Sequence, residues 1–278
     1  LNIPFIQHYI ATSVAQALSD KLKTEVSIGS IDMGLLNRII IDDLHIDDRS
    51  KHELLNTTRL SARFDILPLF SGVVRIHSIQ LFGFNIRINK QTPKSQPNYQ
   101  FIIDTFKSKK KSDKPSHLDI SINSIIMRRG LFSYDVFSEK QTPQQFNASH
   151  IRLHNISATL ALKALRHDSI NFAIKRLAFD AESGLSIEKL SFKLSANTHR
   201  MLIENFELKL PKTKLQTEDI KLKYDSLGSF KHFANEVHFD ISTRRPSYIT
   251  PHDISMYVKP LKNFKDKINL SLKIKGTI

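Results

Sequence analysis

Ser186-Ile-Glu-Lys-Leu-Ser-Phe-Lys-Leu-Ser195 carries apolar residues at 187, 190, 192 and 194. From Leu190 to Leu194 the alternation is that of a β-strand with one apolar face. Between Ile187 and Leu190 there is one residue too many, so Ile187 would point to the wrong side unless a β-bulge absorbs the extra residue. The same spacing recurs at Ile28/Ile31/Met33, Ile41/Leu44/Ile46, Ile76/Ile79/Leu81, Ile122/Ile125/Met127, Leu153/Ile156/Ala158, Ile174/Leu177/Phe179 and Ile203/Phe206/Leu208. Hairpin turns at the intervening pairs are the competing reading. His77-Ser78, Asn123-Ser124, Lys175-Arg176, Glu188-Lys189 and Glu204-Asn205 mostly lack the Gly or Asp-Gly chemistry that tight turns demand. The spacing therefore predicts a bulge in each strand, and bulges at similar height bend a sheet into a trough.

The expected fold is mainly β: a long antiparallel, strongly curved sheet forming an open groove, with a short N-terminal amphipathic helix and one or two small helices. The apolar lining is predicted at Ile122, Ile125, Met127, Phe132, Tyr134, Ile174, Leu177, Phe179, Ile187, Leu190, Phe192, Leu194, Phe206 and Leu208. It continues through Leu222, Tyr224, Val237, Phe239, Ile241, Met256, Val258, Leu270 and Leu272. A closed sandwich core has the same alternation, so periodicity alone leaves open whether this face is covered.

Outward from the strands, residues 1–24 read as a helix. Ile6, Ile10, Val14, Leu18 and Leu22 recur every fourth position, and Pro4 suits a first helical turn. Residues 25–106 form a first β region, with a helical turn at Leu67-Pro68-Leu69-Phe70 and a short helix near 99–106. Lys107 to Ser116 is charged and has no apolar residue, so 107–117 is expected to be a flexible linker and the domain boundary. Residues 118–278 are expected to form the groove as an antiparallel meander, truncated at its C-terminal end, with turn signals that include Arg129-Gly130, Asn197 to Arg200 and Pro211-Lys212. The chain opens on Leu1 and closes on Gly276-Thr277-Ile278 after a strand-like run, which reads as a piece of a longer protein.

The 278 residues are 40% hydrophobic, enough for a sizeable core, and 41 Lys and Arg against 27 Asp and Glu give a net charge of +14. Such a balance favours anionic partners such as phospholipid headgroups or nucleic acid. No long stripe of Arg and aromatics marks nucleic acid, which is not an expected partner. With no Cys, disulfides and thiolate chemistry are excluded. No run of about eighteen apolar residues spans a bilayer.

No phosphate loop, dinucleotide fingerprint, nucleophile elbow or zinc-protease helix occurs, so neither catalysis nor a cofactor is expected. His150 and His154 read as partly exposed polar residues rather than metal ligands. Asp42-Asp43 and Asp47-Asp48 lack the Gly and Glu of a calcium loop and read as solvated turns.

Three stretches resemble the N-terminal region of the AsmA-like superfamily, most closely the TamB branch (translocation and assembly module, inner-membrane subunit) of the Bacteroidetes type. The first is Ile3-Pro-Phe-Ile-Gln-His-Tyr-Ile-Ala with Ala17-Leu-Ser-Asp-Lys-Leu, Val26-Ser-Ile-Gly-Ser-Ile and Leu44-His-Ile-Asp-Asp. The second is Leu67-Pro-Leu-Phe-Ser-Gly leading into Ile76-His-Ser-Ile-Gln-Leu-Phe-Gly. The third is Ile125-Ile-Met-Arg-Arg-Gly-Leu-Phe-Ser-Tyr-Asp. The match covers the first half, and the remainder resembles the family only in periodicity.

The resemblance implies a periplasmic segment of a lipid-transport bridge, anchored to the bacterial inner membrane in the full-length protein and holding phospholipid acyl chains between the two membranes. Its membrane helix, and the C-terminal domain that would meet an outer-membrane barrel, are absent from this sequence. The alternative is a scaffold for outer-membrane protein assembly that pairs an edge strand with client strands.

Overall fold

The computed structural model describes residues 4–34, 37–64, 74–106, 118–142, 145–165, 169–255 and 257–277. The expected turn at Leu67 to Phe70, the Lys-rich segment 107–117 and Met256 lie outside these. The fold is mainly β, a mixed sheet with a short N-terminal helix and a few small helices. Contacts divide the chain into two units, residues 1–143 with 147–156, and residues 144–146 with 157–278.

The first unit opens with helix α1 (Pro4–Leu22) and strands β1 (Val26–Ser27), β2 (Ser30–Gly34), β3 (Arg38–Asp47), β4 (Glu53–Phe64) and β5 (Val74–Lys90). Helix α2 (Gln100–Phe106), β6 (Leu118–Val136) and the start of β7 (His150–Leu165) complete it. The strand order is β1-β3-β4-β5-β6-β7, with β2 also on β3.

Helix α1 forms where expected but buries only part of the expected stripe. Ala11, Ala15 and Leu22 are buried and Leu18 packs beside them, whereas Tyr9, Ile10 and Val14 are 68%, 43% and 36% exposed. A step of four residues overshoots a turn of about 3.6, so a fourth-position stripe drifts around the helix by about 40° per step. The two alanines let α1 lie close on Val26, Ile28, Leu44 and Leu54, and Phe101 of α2 joins the same cluster.

The apolar residues of β3 to β6 stay on one face because these strands slip phase together. Ile39, Ile41, Leu44 and Ile46 pair with Ala62, Leu60, Thr57 and Leu55. Those four pair with Ile79, Leu81, Phe84 and Ile86, and Ile79, Leu81 and Ile86 lie beside Ile125, Met127 and Phe132. Each strand carries its extra residue at the same level, so neighbours keep register across the slip. Asp43, Gly83 and Arg129 take positive φ there, at 51°, 62° and 54°. A left-handed residue turns the chain through the step that regular pleating cannot make.

Two turn assignments are thereby corrected. Arg129-Gly130 lies inside β6 and Asp42-Asp43 inside β3, where Arg59 binds Asp42 with its Nε at 2.6 Å. At Gly130 the Phe84 ring, 2% exposed, lies over the backbone, and a Cβ there would sit 1.8 Å from its Cζ. Asp48 is also no solvated turn residue. It is buried, accepts hydrogen bonds from the amides of Ser50 and His52, and accepts another from Asn98 Nδ2.

The sheet is not wholly antiparallel as expected, since β5 and β6 are parallel. Parallel neighbours need a long crossover, and the connection 91–117 supplies it, with α2 seated on the α1 cluster.

The second unit holds the rest of β7 and then β8 (Ser169–Ala181), β9 (Ser186–Asn197), β10 (Arg200–Lys209), β11 (Lys214–Gln216) and β12 (Ile220–Lys223). After them come the one-turn helix α3 (Phe233–Glu236), β13 (His238–Ser242), β14 (Tyr248–Ile249), β15 (Ile268–Asn269) and β16 (Lys273–Gly276). The order is β7-β8-β9-β10-β11-β14-β15, while β12 pairs with β10 and β13, and β16 with β13.

Here the expected bulges displace register. Lys175-Arg176 stand opposite Ser191, and Glu188-Lys189 stand opposite Ala178. Asn205-Phe206 stand opposite Phe192. Asn205, like Asn155 in β7, has positive φ, at 53° and 55°. Asn tolerates this region because its short polar side chain bonds locally.

Replacing Asn205 by Gly should leave urea-unfolding stability unchanged, whereas Val should cost about 1–2 kcal/mol, since a β-branched side chain is strained at positive φ. Gly130→Ala should cost about 1–3 kcal/mol by forcing Phe84 from its seat, measured the same way.

Candidate functional site

In the second unit the bulges assemble one apolar face from β8, β9 and β10. Phe172, Ile174, Leu177 and Phe179 pair with Leu194, Phe192, Leu190 and Ile187. Leu194 and Leu190 pair in turn with Ile203 and Leu208 of β10. Phe192 is central: its ring lies 5.9 Å from Phe172, edge-on, and 6.4 Å from Phe206, stacked. All these side chains are half-buried, and none belongs to a buried hydrophobic cluster among the described residues. They touch one another along the sheet without the closure a packed core would give.

Other predicted lining residues are placed differently. Leu222, Tyr224, Val237 and Phe239 form a closed core with Met201, Ile220, Phe230 and Ile241, and Val237 is 0% exposed. Residues 227–236 supply its cover, with Phe230 4.8 Å from Tyr224 and Phe233 stacked 6.0 Å from Phe239. Leu270 is half-buried, whereas Val258 and Leu272 are exposed.

In the first unit Ile122, Ile125, Met127, Phe132 and Tyr134 are half-buried on β6, and Tyr134 lies beside Ile88. Phe172 is not among the predicted lining. Phe172 precedes Ile174 by two residues, and plain alternation marks it.

A compact charged group in the first unit is centred on Asp135. Asp135 at the end of β6 receives hydrogen bonds from Arg152 Nη1 at 2.9 Å and from His150 Nδ1 at 2.8 Å, while His150 Nε2 faces the Glu139 carbonyl at 2.9 Å. Both ring nitrogens thus face acceptors, an arrangement suited to the protonated ring. The hydrogen bond to Asp135 and that to the Glu139 carbonyl raise the His150 pKa above 6.5. For Asp135, burial pushes the carboxyl up, but the bonds from Arg152 and His150 outweigh it and hold it below its usual value. The arrangement ties the two strand ends and the intervening loop together. Among the described residues no group of three His, Asp or Glu side chains is placed to hold a metal ion.

Compared with known protein families, the chain matches no family model.

His150 titrates higher in the folded protein than unfolded, so its added stability is complete below pH 6.5 and is lost as pH rises through the raised value. The stability gap between the wild type and His150→Gln, from urea unfolding, should be largest near pH 5.5 and smaller near about pH 9. A gap independent of pH would contradict a protonated His150.

Proposed function

We propose that this chain is a segment of an envelope lipid-transport bridge whose apolar sheet face holds phospholipid acyl chains. The observation that carries this reading is the face of β8 to β10. It is apolar along whole strands, centred on Phe172, Phe192 and Phe206, and has no buried core upon it among the described residues. Apolar surface of that extent in contact with water is unfavourable, and an acyl chain laid on it gains about 0.8 kcal/mol per buried methylene. Such a role needs a continuous apolar path and no reacting group.

The resemblance to the TamB branch supports phospholipid as the cargo and the periplasm as the place, with the anchor in the inner membrane. The bulges suit the task physically, because they keep the apolar residues on one side while bending the strands around whatever lies there.

Native mass spectrometry of the gently purified protein should detect bound phospholipid. Phe192→Asp should lower lipid occupancy by about tenfold or more, the equivalent of about 1.4 kcal/mol, because a carboxylate in an apolar contact must be desolvated or displace the chain. Val237→Ala, in the closed core, should lower stability without that loss. A lipid-free protein, or equal occupancy in Phe192→Asp, would refute the reading.

A further inference from the structure

On the opposite side of the second unit's sheet, where β8, β9, β10 and β12 end, lies a depression of about 420 Å³. Arg200, Lys221 and Lys223 line it together with Asn171, Ser195 and Asn197, and no carboxylate does. None of the three cations forms an ion pair among the described residues. Elsewhere on this face some charges do pair, as Lys189 does with Glu207 and Lys209 with Glu188. Asp240 is the cross-strand neighbour of Lys221, but its carboxylate lies 3.9 Å from Lys275.

Arg200 and Lys223 are also direct cross-strand partners. Like charges placed opposite each other in an antiparallel pair are destabilising, and the repulsion is relieved when an anion sits between them. The arrangement is held in place. The Asn197 side-chain oxygen accepts from the amides of His199 and Arg200 at 2.9 and 2.8 Å, and the Tyr224 hydroxyl donates to the Asn197 carbonyl at 2.7 Å. The Tyr224 amide bonds the His199 carbonyl at 3.0 Å. Because Tyr224 belongs to the closed core, the turn bearing Arg200 is pinned to the best-packed part of the unit.

We infer that this depression binds a phosphate-bearing anionic group through Arg200, Lys221 and Lys223. Three cations with neighbouring amide and hydroxyl groups match an oxyanion carrying several acceptors. Such a group comes either from a lipid headgroup at the rim of the sheet or from a free phosphate compound. The site stands on its own residues, and phosphate binding here would survive a failure of the acyl-chain reading.

The test is a titration of the whole chain, followed by amide NMR, with inorganic phosphate and separately with dihexanoylphosphatidylglycerol, each against sodium chloride at matched ionic strength. Both probes should shift the amides of Arg200 to Leu202 and Lys221 to Lys223, and the triple variant R200Q/K221Q/K223Q should weaken binding by about tenfold or more. Tighter binding of the lipid assigns the headgroup, and equal or tighter binding of phosphate assigns a soluble compound. Because the variant removes a like-charge contact, its melting temperature should be no lower than the wild type's, while phosphate should raise only that of the wild type. Shifts absent from these amides, or matched by chloride, would overturn the proposal. So would binding retained in the triple variant.

Discussion

The structure depends on a single backbone constraint: each long strand must place apolar side chains on one face across a step of three residues. Regular pleating forbids that, and the chain meets it with left-handed residues and bulges. In β3 to β6 the step is taken by neighbours at one level, through Asp43, Gly83 and Arg129, so hydrogen-bond register survives. In β8 to β10 it is taken strand by strand, with the register shifts at Lys175-Arg176, Glu188-Lys189 and Asn205-Phe206. Were any strand to take the step differently, its next apolar residues would face water.

Keeping apolar residues on one side raises the question of what covers them, and the chain answers it locally. In the first unit α1 and α2 close the cluster around Leu44 and Leu54, using alanines for close approach. In the second, residues 227–236 close the cluster around Val237 and Phe239. The face of β8 to β10 has no such cover among the described residues. Covered and uncovered stretches therefore share one strand pattern and differ in what is packed on them, which is why the lipid proposal attaches to Phe192 and not to Val237.

Much of this was legible in the sequence, because the signal was geometric. The apolar spacing marked the bulges, and the intervening residues that adopt positive φ include Asp43, Asn155 and Asn205, side chains tolerant of that conformation. What alternation could not carry was burial. Leu222 and Phe192 look alike in sequence, and only tertiary packing makes one a core residue and the other part of an open face. The parallel β5–β6 pair is not legible in the sequence, because the Lys-rich 107–117 reads as a linker at a domain boundary and not as part of a crossover. On helix α1 the stripe of bulky residues marks the buried side only at Leu18 and Leu22, because close packing against the sheet favours the small Ala11 and Ala15 over Ile10 and Val14. The cluster of Arg200 with Lys223 was invisible, since register brings together residues that sequence keeps apart.

The most direct test of the account is paramagnetic broadening of leucine methyl signals by a phospholipid carrying a nitroxide on its acyl chain. The account predicts strong broadening at Leu177, Leu190, Leu194 and Leu208, which line the open face, and little at Leu222, inside the closed core. Broadening that is absent, or as strong at Leu222 as at Leu190, would contradict it.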